Sequence, residues 1–194
     1  MSVSEAEKEL IESRRFTPEP GKDFFVFAYG SLMWRPDFPF VEIQPATLYG
    51  YHRAFCITST HYRGTAERPG LVLGLDRGGQ CVGRLYRVGP TDAADVARYL
   101  HERELITGCY VPKHVTLRLP DGAEAHGLTF VADRTHYQYA GKLDDHAIAG
   151  IVRHAVGVMG SNRDYLRNTV QHLEEMGIAD TSLHRILRLV EKAE

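Results

Sequence analysis

The hydrophobic pattern changes period several times along the chain. Residues 24–29 form an apolar, aromatic run of strand length that stops at Gly30-Ser31. Residues 46–59 and 71–75 are rich in β-formers. Asp76-Arg77-Gly78-Gly79 reads as a hairpin turn, which makes 81–88 the returning strand. Over 91–103 the period lengthens. Ala93, Val96, Ala97 and Leu100 share one face of a predicted helix that Thr91 or Asp92 can cap. Residues 111–119 and 125–132, around Pro120-Asp121-Gly122, predict a second hairpin. The last third carries three helical stripes. One is Leu143, Ala147, Ile148, Ile151, Val152 and Ala155. The next is Tyr165, Leu166, Thr169, Leu173 and Met176, ended by Gly177. The last is Leu183, Ile186, Leu187 and Val190.

Upstream, Ser4-Glu5-Ala6-Glu7 fits a capping box and predicts a helix to about Arg15, broken by Thr17-Pro18-Glu19-Pro20-Gly21. The order is strands, one inserted helix, more strands, then helices. That order predicts an α+β fold with a mixed sheet, open or closed into a barrel, packed against C-terminal helices. Residues 1–23 are expected to form a helix and linker, and 24–194 a single domain.

Composition narrows the setting. The 194 residues suffice for a sizeable core, and a net charge of −2 with scattered basic residues gives no bias towards nucleic acid or an anionic membrane. The charged N-terminus has no signal-peptide core, and the run ending at Tyr29 is too short to span a bilayer. Cys56, Cys81 and Cys109 are odd in number, widely spaced and without a CxxC pair. A soluble cytoplasmic protein with idle thiols is expected.

Several chemistries find no pattern. The ten histidines contain no HxH or HExxH, so no metal site is expected. There is no Gly-x-Ser-x-Gly elbow, P-loop or GxGxxG. Two places stand out. At Tyr29-Gly30-Ser31-Leu32 a strand ends in small residues. Glycine there is expected to take a positive φ and let a ligand approach the main chain, with backbone N–H groups forming an anion-binding nest. At Tyr99-Leu100-His101-Glu102-Arg103-Glu104 two carboxylates and an arginine sit at a helix end. Local geometry does not choose between Glu102 and Glu104.

These two places carry a resemblance. Tyr29-Gly30-Ser31-Leu32-Met33-Trp34 resembles the YGSL(I/L)W signature of the ChaC family, the glutathione-specific γ-glutamylcyclotransferases. Leu100 to Tyr110 is similar to that family's bacterial pattern L-W-x-R-E-M-x-x-G-x-Y. Asp37-Phe38-Pro39, Arg53-x-Phe55, Arg63-Gly64-Thr65, Pro69-Gly70 and Ser161-Asn162 with Tyr165-Leu166 add to the likeness, which covers about 24–190. Ala28 and His101 depart from it, where relatives often have glycine and tryptophan, and the first 23 residues have no counterpart.

The resemblance implies a cofactor-independent, lyase-type enzyme that splits glutathione into 5-oxo-L-proline and L-cysteinylglycine. It implies Glu104, the glutamate after the arginine, as general acid and base. It also implies substrate contacts from Ala28, Tyr29, Gly30, Ser31, Leu32, Tyr110 and Tyr165. Either Arg63 or Arg53 is a candidate partner for the glycine carboxylate, with Arg63 the assigned residue.

Overall fold

The structure is a computed structural model, and it describes residues 4–192. Its elements are helix α1 (Glu5–Ser13), strand β1 (Phe24–Ala28), a 3₁₀ turn (Ser31–Met33), β2 (Glu42–Ser59), β3 (Gly70–Val88), α2 (Ala93–Glu104), β4 (Tyr110–Arg118) and β5 (Glu124–Ala132). There follow α3 (Asp145–His154), β6 (Val156–Gly157), β7 (Gly160–Ser161), α4 (Asn162–Glu175) and α5 (Thr181–Glu191). The chain divides into two compact units. One is Met1–Arg53 with Leu75–His136, and the other is Ala54–Gly74 with Tyr137–Glu194.

The first unit holds a closed barrel in the order β1-β3-β2-β4-β5. β1 runs antiparallel to β3 from Phe24↔Val88 to Ala28↔Arg84 and parallel to β5 at Val26↔Leu128. β4 and β5 form the predicted hairpin, in register from Tyr110↔Ala132 to Arg118↔Glu124. Its turn is locked where Ala123 N donates to Asp121 Oδ1 at 2.9 Å, with Gly122 at φ +87°. Phe27, Leu48, Leu75, Leu85 and Leu117 cluster in the interior, each nearly or fully buried.

Gly78-Gly79 does not make the expected hairpin. β3 runs unbroken through it, with Gly78 at φ +99° and Gly79 at φ +69°. Leu75 on one side pairs with β5, while 84–88 on the other pair with β1. The glycine pair therefore bends one long strand instead of reversing it. His52 Nδ1 lies 3.0 Å from the Gly78 carbonyl, and Arg134 Nε donates to Asp76 at 2.7 Å, which holds the bend.

α1 carries the predicted capping box at Ser4 and Glu7 and stops at Ser13. α2 starts at Ala93, but the Asp92 side chain makes no capping bond. Instead the Asp92 and Ala93 amides both donate to the Gly89 carbonyl at 3.1 Å.

In the second unit the helical stripes are present. Ile148 and Val152 of α3, Leu166 and Leu173 of α4, and Leu183, Ile186 and Val190 of α5 are buried. Gly177 ends α4 at φ +70°. The β6–β7 ribbon was not expected. It leads into Asn162, which is fully buried and exchanges two hydrogen bonds with Leu71, from Leu71 N at 2.7 Å and to Leu71 O at 2.8 Å. Its amide thus serves as one more strand residue beside β3.

A Cβ on Gly70 would lie 2.1 Å from the Arg63 carbonyl and 2.8 Å from Asn162 Oδ1. Gly70→Ala is therefore expected to destabilise by more than about 2 kcal/mol. Gly150→Ala, where a Cβ meets nothing within 4 Å, should instead stabilise α3 by about 0.5–1 kcal/mol. Thermal melts of the two variants check this. Equal melting temperatures would remove the close-approach argument.

Candidate active site

The 3₁₀ turn follows β1 directly and is fixed from two sides. Tyr86, opposite Val26 in the β1–β3 register, is buried and its hydroxyl lies 3.0 Å from the carbonyls of both Leu32 and Met33. Burial raises the pKa of this phenol above its usual value, so it stays a donor. Arg53, 5% exposed, donates through Nε to the Tyr29 carbonyl at 2.5 Å and through Nη2 to the Val82 carbonyl at 2.8 Å. Its guanidinium is enclosed, and the Nε bond holds the carbonyl of the peptide ahead of Gly30.

Within the turn, Met33 N donates to the Gly30 carbonyl at 2.8 Å and Arg35 N to the Ser31 carbonyl at 2.8 Å. The leading amides of such a turn have no preceding carbonyl to bond. Gly30 departs from expectation. Its φ is −130°, outside the left-handed region, and an added Cβ would meet no atom of the chain within 4 Å. Packing against this chain does not demand glycine there. Ala28 is fully buried, Tyr29 and Leu32 nearly so.

Glu104 is the last residue of α2, and the helix separates the two carboxylates. Glu102 is exposed, whereas the Glu104 side chain keeps only 17% of its surface. Burial pushes the Glu104 carboxyl up to about 7, against the opposing pull of Arg103, whose Nε stands 3.3 Å from Oε1. A carboxyl poised near neutrality can both take and return a proton at physiological pH.

Arg103, noted in the sequence beside the two carboxylates but given no role there, ties the two stretches together. Nη1 donates to the Tyr99 hydroxyl at 2.5 Å and the Arg35 carbonyl at 2.8 Å, and Nη2 to Ser31 Oγ at 3.2 Å. The guanidinium also lies 5.8 Å from the centre of the Tyr99 ring and 3.4 Å from Asp37 Oδ2. One planar fork thus spans the helix end, the turn and the following loop. The Ser31 hydroxyl is one of its acceptors. The signal in the sequence was an arginine adjoining a carboxylate, which reads equally as a solvated helix end.

Tyr110 opens β4 in the same unit. Cys109 before it is buried, and burial pushes its thiol up to about 11 despite a hydrogen bond from Thr107. It is a poor nucleophile in that state. Arg63 and Tyr165 belong to the second unit. The Arg63 guanidinium lies 5.1 Å from the Tyr165 ring centre, and Nη1 donates to the Met159 carbonyl at 2.5 Å. The Tyr165 hydroxyl accepts from Leu73 N at 3.3 Å. Among the described residues no three His, Cys, Asp or Glu side chains group to hold a metal ion, and no helix is long and apolar enough to cross a membrane.

The sequence and the fold both have counterparts among known proteins. The family described as ChaC-like protein matches residues 24–193. A glutathione-specific gamma-glutamylcyclotransferase of Escherichia coli is 39% identical over 168 residues, 87% of this chain and 73% of that protein. Glutathione-specific gamma-glutamylcyclotransferase 1 of Homo sapiens is 32% identical over 157 residues, 79% of this chain and 71% of that protein. The crystal structure of a yeast gamma-glutamyl cyclotransferase specific to glutathione superposes with a TM-score of 0.80 at 23% identity, over 88% of this chain and 96% of that one. The fold is therefore the α+β fold of that enzyme. The chain belongs to the ChaC-like family.

Proposed function

We propose that the protein degrades glutathione by cyclising its γ-glutamyl group, releasing 5-oxo-L-proline and L-cysteinylglycine. The observation that carries this reading is the Glu104 carboxyl, raised to about 7 by burial and joined through Arg103 to the turn after β1. The similarity to proteins named for this activity supports it.

The substrate supplies both reacting groups. The α-amine attacks the γ-carbonyl carbon, forming the lactam C–N bond, and the amide bond to cysteine breaks. An α-amine is mostly protonated at pH 7 and inert until deprotonated. Glu104 as carboxylate takes a proton from the attacking amine, then returns one to the departing cysteine nitrogen. No water is consumed and no enzyme nucleophile is needed. Acid–base work of this kind contributes about 10²–10⁴-fold, and folding the flexible glutamyl arm into attack geometry contributes further.

The leading amides of Gly30, Ser31 and Leu32 receive the α-carboxylate of the glutamyl group, beside Ala28 and Tyr29. The empty space where a Gly30 Cβ would stand is room for that carboxylate. A loop amide and the Tyr110 hydroxyl are the two candidate donors for the developing oxyanion. The reaction belongs to the lyase class and needs no cofactor, and the protein acts in the cytoplasm.

The substrate's own groups provide the test. Glutathione should yield 5-oxoproline, and N-acetyl-glutathione, whose amine is blocked, should yield none. Release of cysteinylglycine from the blocked substrate would overturn the intramolecular attack. Comparable kcat/KM for glutathione, γ-glutamylcysteine and γ-glutamylalanine would reassign the enzyme to γ-glutamyl compounds at large. Turnover is expected to survive exhaustive EDTA treatment. Recovery of a chelated enzyme only on adding a divalent ion would contradict the cofactor-free scheme.

A further inference from the structure

Arg14 lies ahead of the residues that match the family, yet its guanidinium enters the segment joining the catalytic helix to β4. Nη1 donates to the carbonyls of Gly108 and Tyr110, the latter at 2.8 Å, and Nη2 to Asp133 Oδ2. The side chains of Arg14 and Asp133 are only 12% and 13% exposed. Between the two gripped carbonyls, that of Cys109 accepts from Asp133 N at 2.9 Å. Three successive carbonyls, 108 to 110, are thus held by two residues, the outer two by the Arg14 guanidinium and the middle one by the Asp133 backbone amide. Burial of Asp133 works against its charge, but hydrogen bonds from Thr135 and Arg14 outweigh it and hold the carboxyl below its usual range.

α1 reinforces the grip on the other side of Glu104. His101, one turn earlier in α2, has Nε2 3.2 Å from the Ile11 carbonyl. A Cβ on Gly108 would lie 3.6 Å from the side chains of both Leu10 and Ile11. Among its described residues α1 has no buried side chain of its own. Apolar burial therefore holds it weakly, and the Arg14 fork is its strongest attachment. This also gives His101, a departure from the family pattern, a local purpose.

We infer that Arg14 is a positioning residue for the reaction: by clamping the carbonyls of Gly108 and Tyr110 against Asp133 it sets the Glu104 carboxyl and the Tyr110 ring relative to the turn after β1. It touches no substrate. The inference rests on the cyclotransferase reading, and the same assay separates the two. Absence of 5-oxoproline from the wild-type protein sinks the function, whereas a working wild type with an indifferent Arg14 sinks only the inference.

The test compares Arg14→Ala and Arg14→Lys with the wild type for kcat and KM on glutathione, with and without added methylguanidinium. Arg14→Ala should lose at least tenfold in kcat with KM changed less than threefold, and methylguanidinium should restore part of kcat. Arg14→Lys keeps the charge facing Asp133 but not a planar fork spanning three acceptors, so its kcat should fall between the two. Should the alanine variant fail to fold, the lysine variant carries the test, with its melting temperature recorded alongside. A folded Arg14→Lys at full wild-type kcat, or an Arg14→Ala whose loss lies wholly in KM and is untouched by methylguanidinium, overturns the inference.

Discussion

Glu104→Gln should remain folded and bind glutathione while kcat falls by about 10²–10⁴-fold, because the amide keeps the shape but cannot carry a proton. The same substitution should make the protein more stable above neutrality. With its pKa raised from 4.5 to about 7, Glu104 binds its proton more tightly in the folded than in the unfolded chain. Between those two values the native state holds more protons, so stability falls as pH rises through this window. Above pH 7 the full penalty of the buried charge is present, on the order of 3 kcal/mol as an upper figure. Glutamine at 104 removes that penalty. Melts at pH 8 should therefore place Glu104→Gln several degrees above wild type, and melts at pH 4 should bring the two together. Glu102→Gln, at an exposed position, should change neither turnover nor this pH dependence. Inactivity of Glu102→Gln beside an active Glu104→Gln would reverse the assignment.

Arg103→Met is the second variant for which a large effect is expected. Arg103 opposes the rise of the Glu104 pKa and also fastens Tyr99, Ser31 and the Arg35 carbonyl. Its loss should move the acid limb of the kcat/KM profile to higher pH, since a carboxylate deprived of its cation is harder to form. It should also lower kcat by roughly 10²-fold, the effect of misplacing reacting groups by about 1 Å. The two readouts separate charge from geometry. Arg103→Lys should keep the position of the limb better than it keeps kcat, because an ammonium retains the charge but not the fork. An Arg103→Met enzyme with an unmoved limb and kcat within twofold of wild type would remove Arg103 from the site.

The period of the apolar residues was enough for most elements, and it failed where a local signal has two uses. Gly78-Gly79 supplies positive φ for a hairpin or for a bend. The choice depends on Leu75 pairing with β5 and 84–88 pairing with β1, which no window around the glycines contains. The 3₁₀ turn and the glutamate were legible as the ends of a strand and of a helix. Choosing Glu104 over Glu102 needed either the family pattern or the burial difference, since both carboxylates are alike in local sequence. Arg103, Arg53 and Arg14 were least legible. An arginine is a solvated charge until the fold sets carbonyls around it, and the partners of Arg14 lie 94 to 119 residues away. Asn162 was visible as part of a motif, but its role as a peptide mimic beside Leu71 emerges only with both strands in place.

Product analysis in ¹⁸O-water tests the central claim most directly, because intramolecular cyclisation and hydrolysis of the γ-glutamyl bond differ in whether solvent oxygen enters the product. Purified protein incubated with glutathione should release 5-oxoproline and cysteinylglycine one to one, with no ¹⁸O in the 5-oxoproline and no free glutamate. Glutamate carrying ¹⁸O, or glutathione recovered intact, would contradict it.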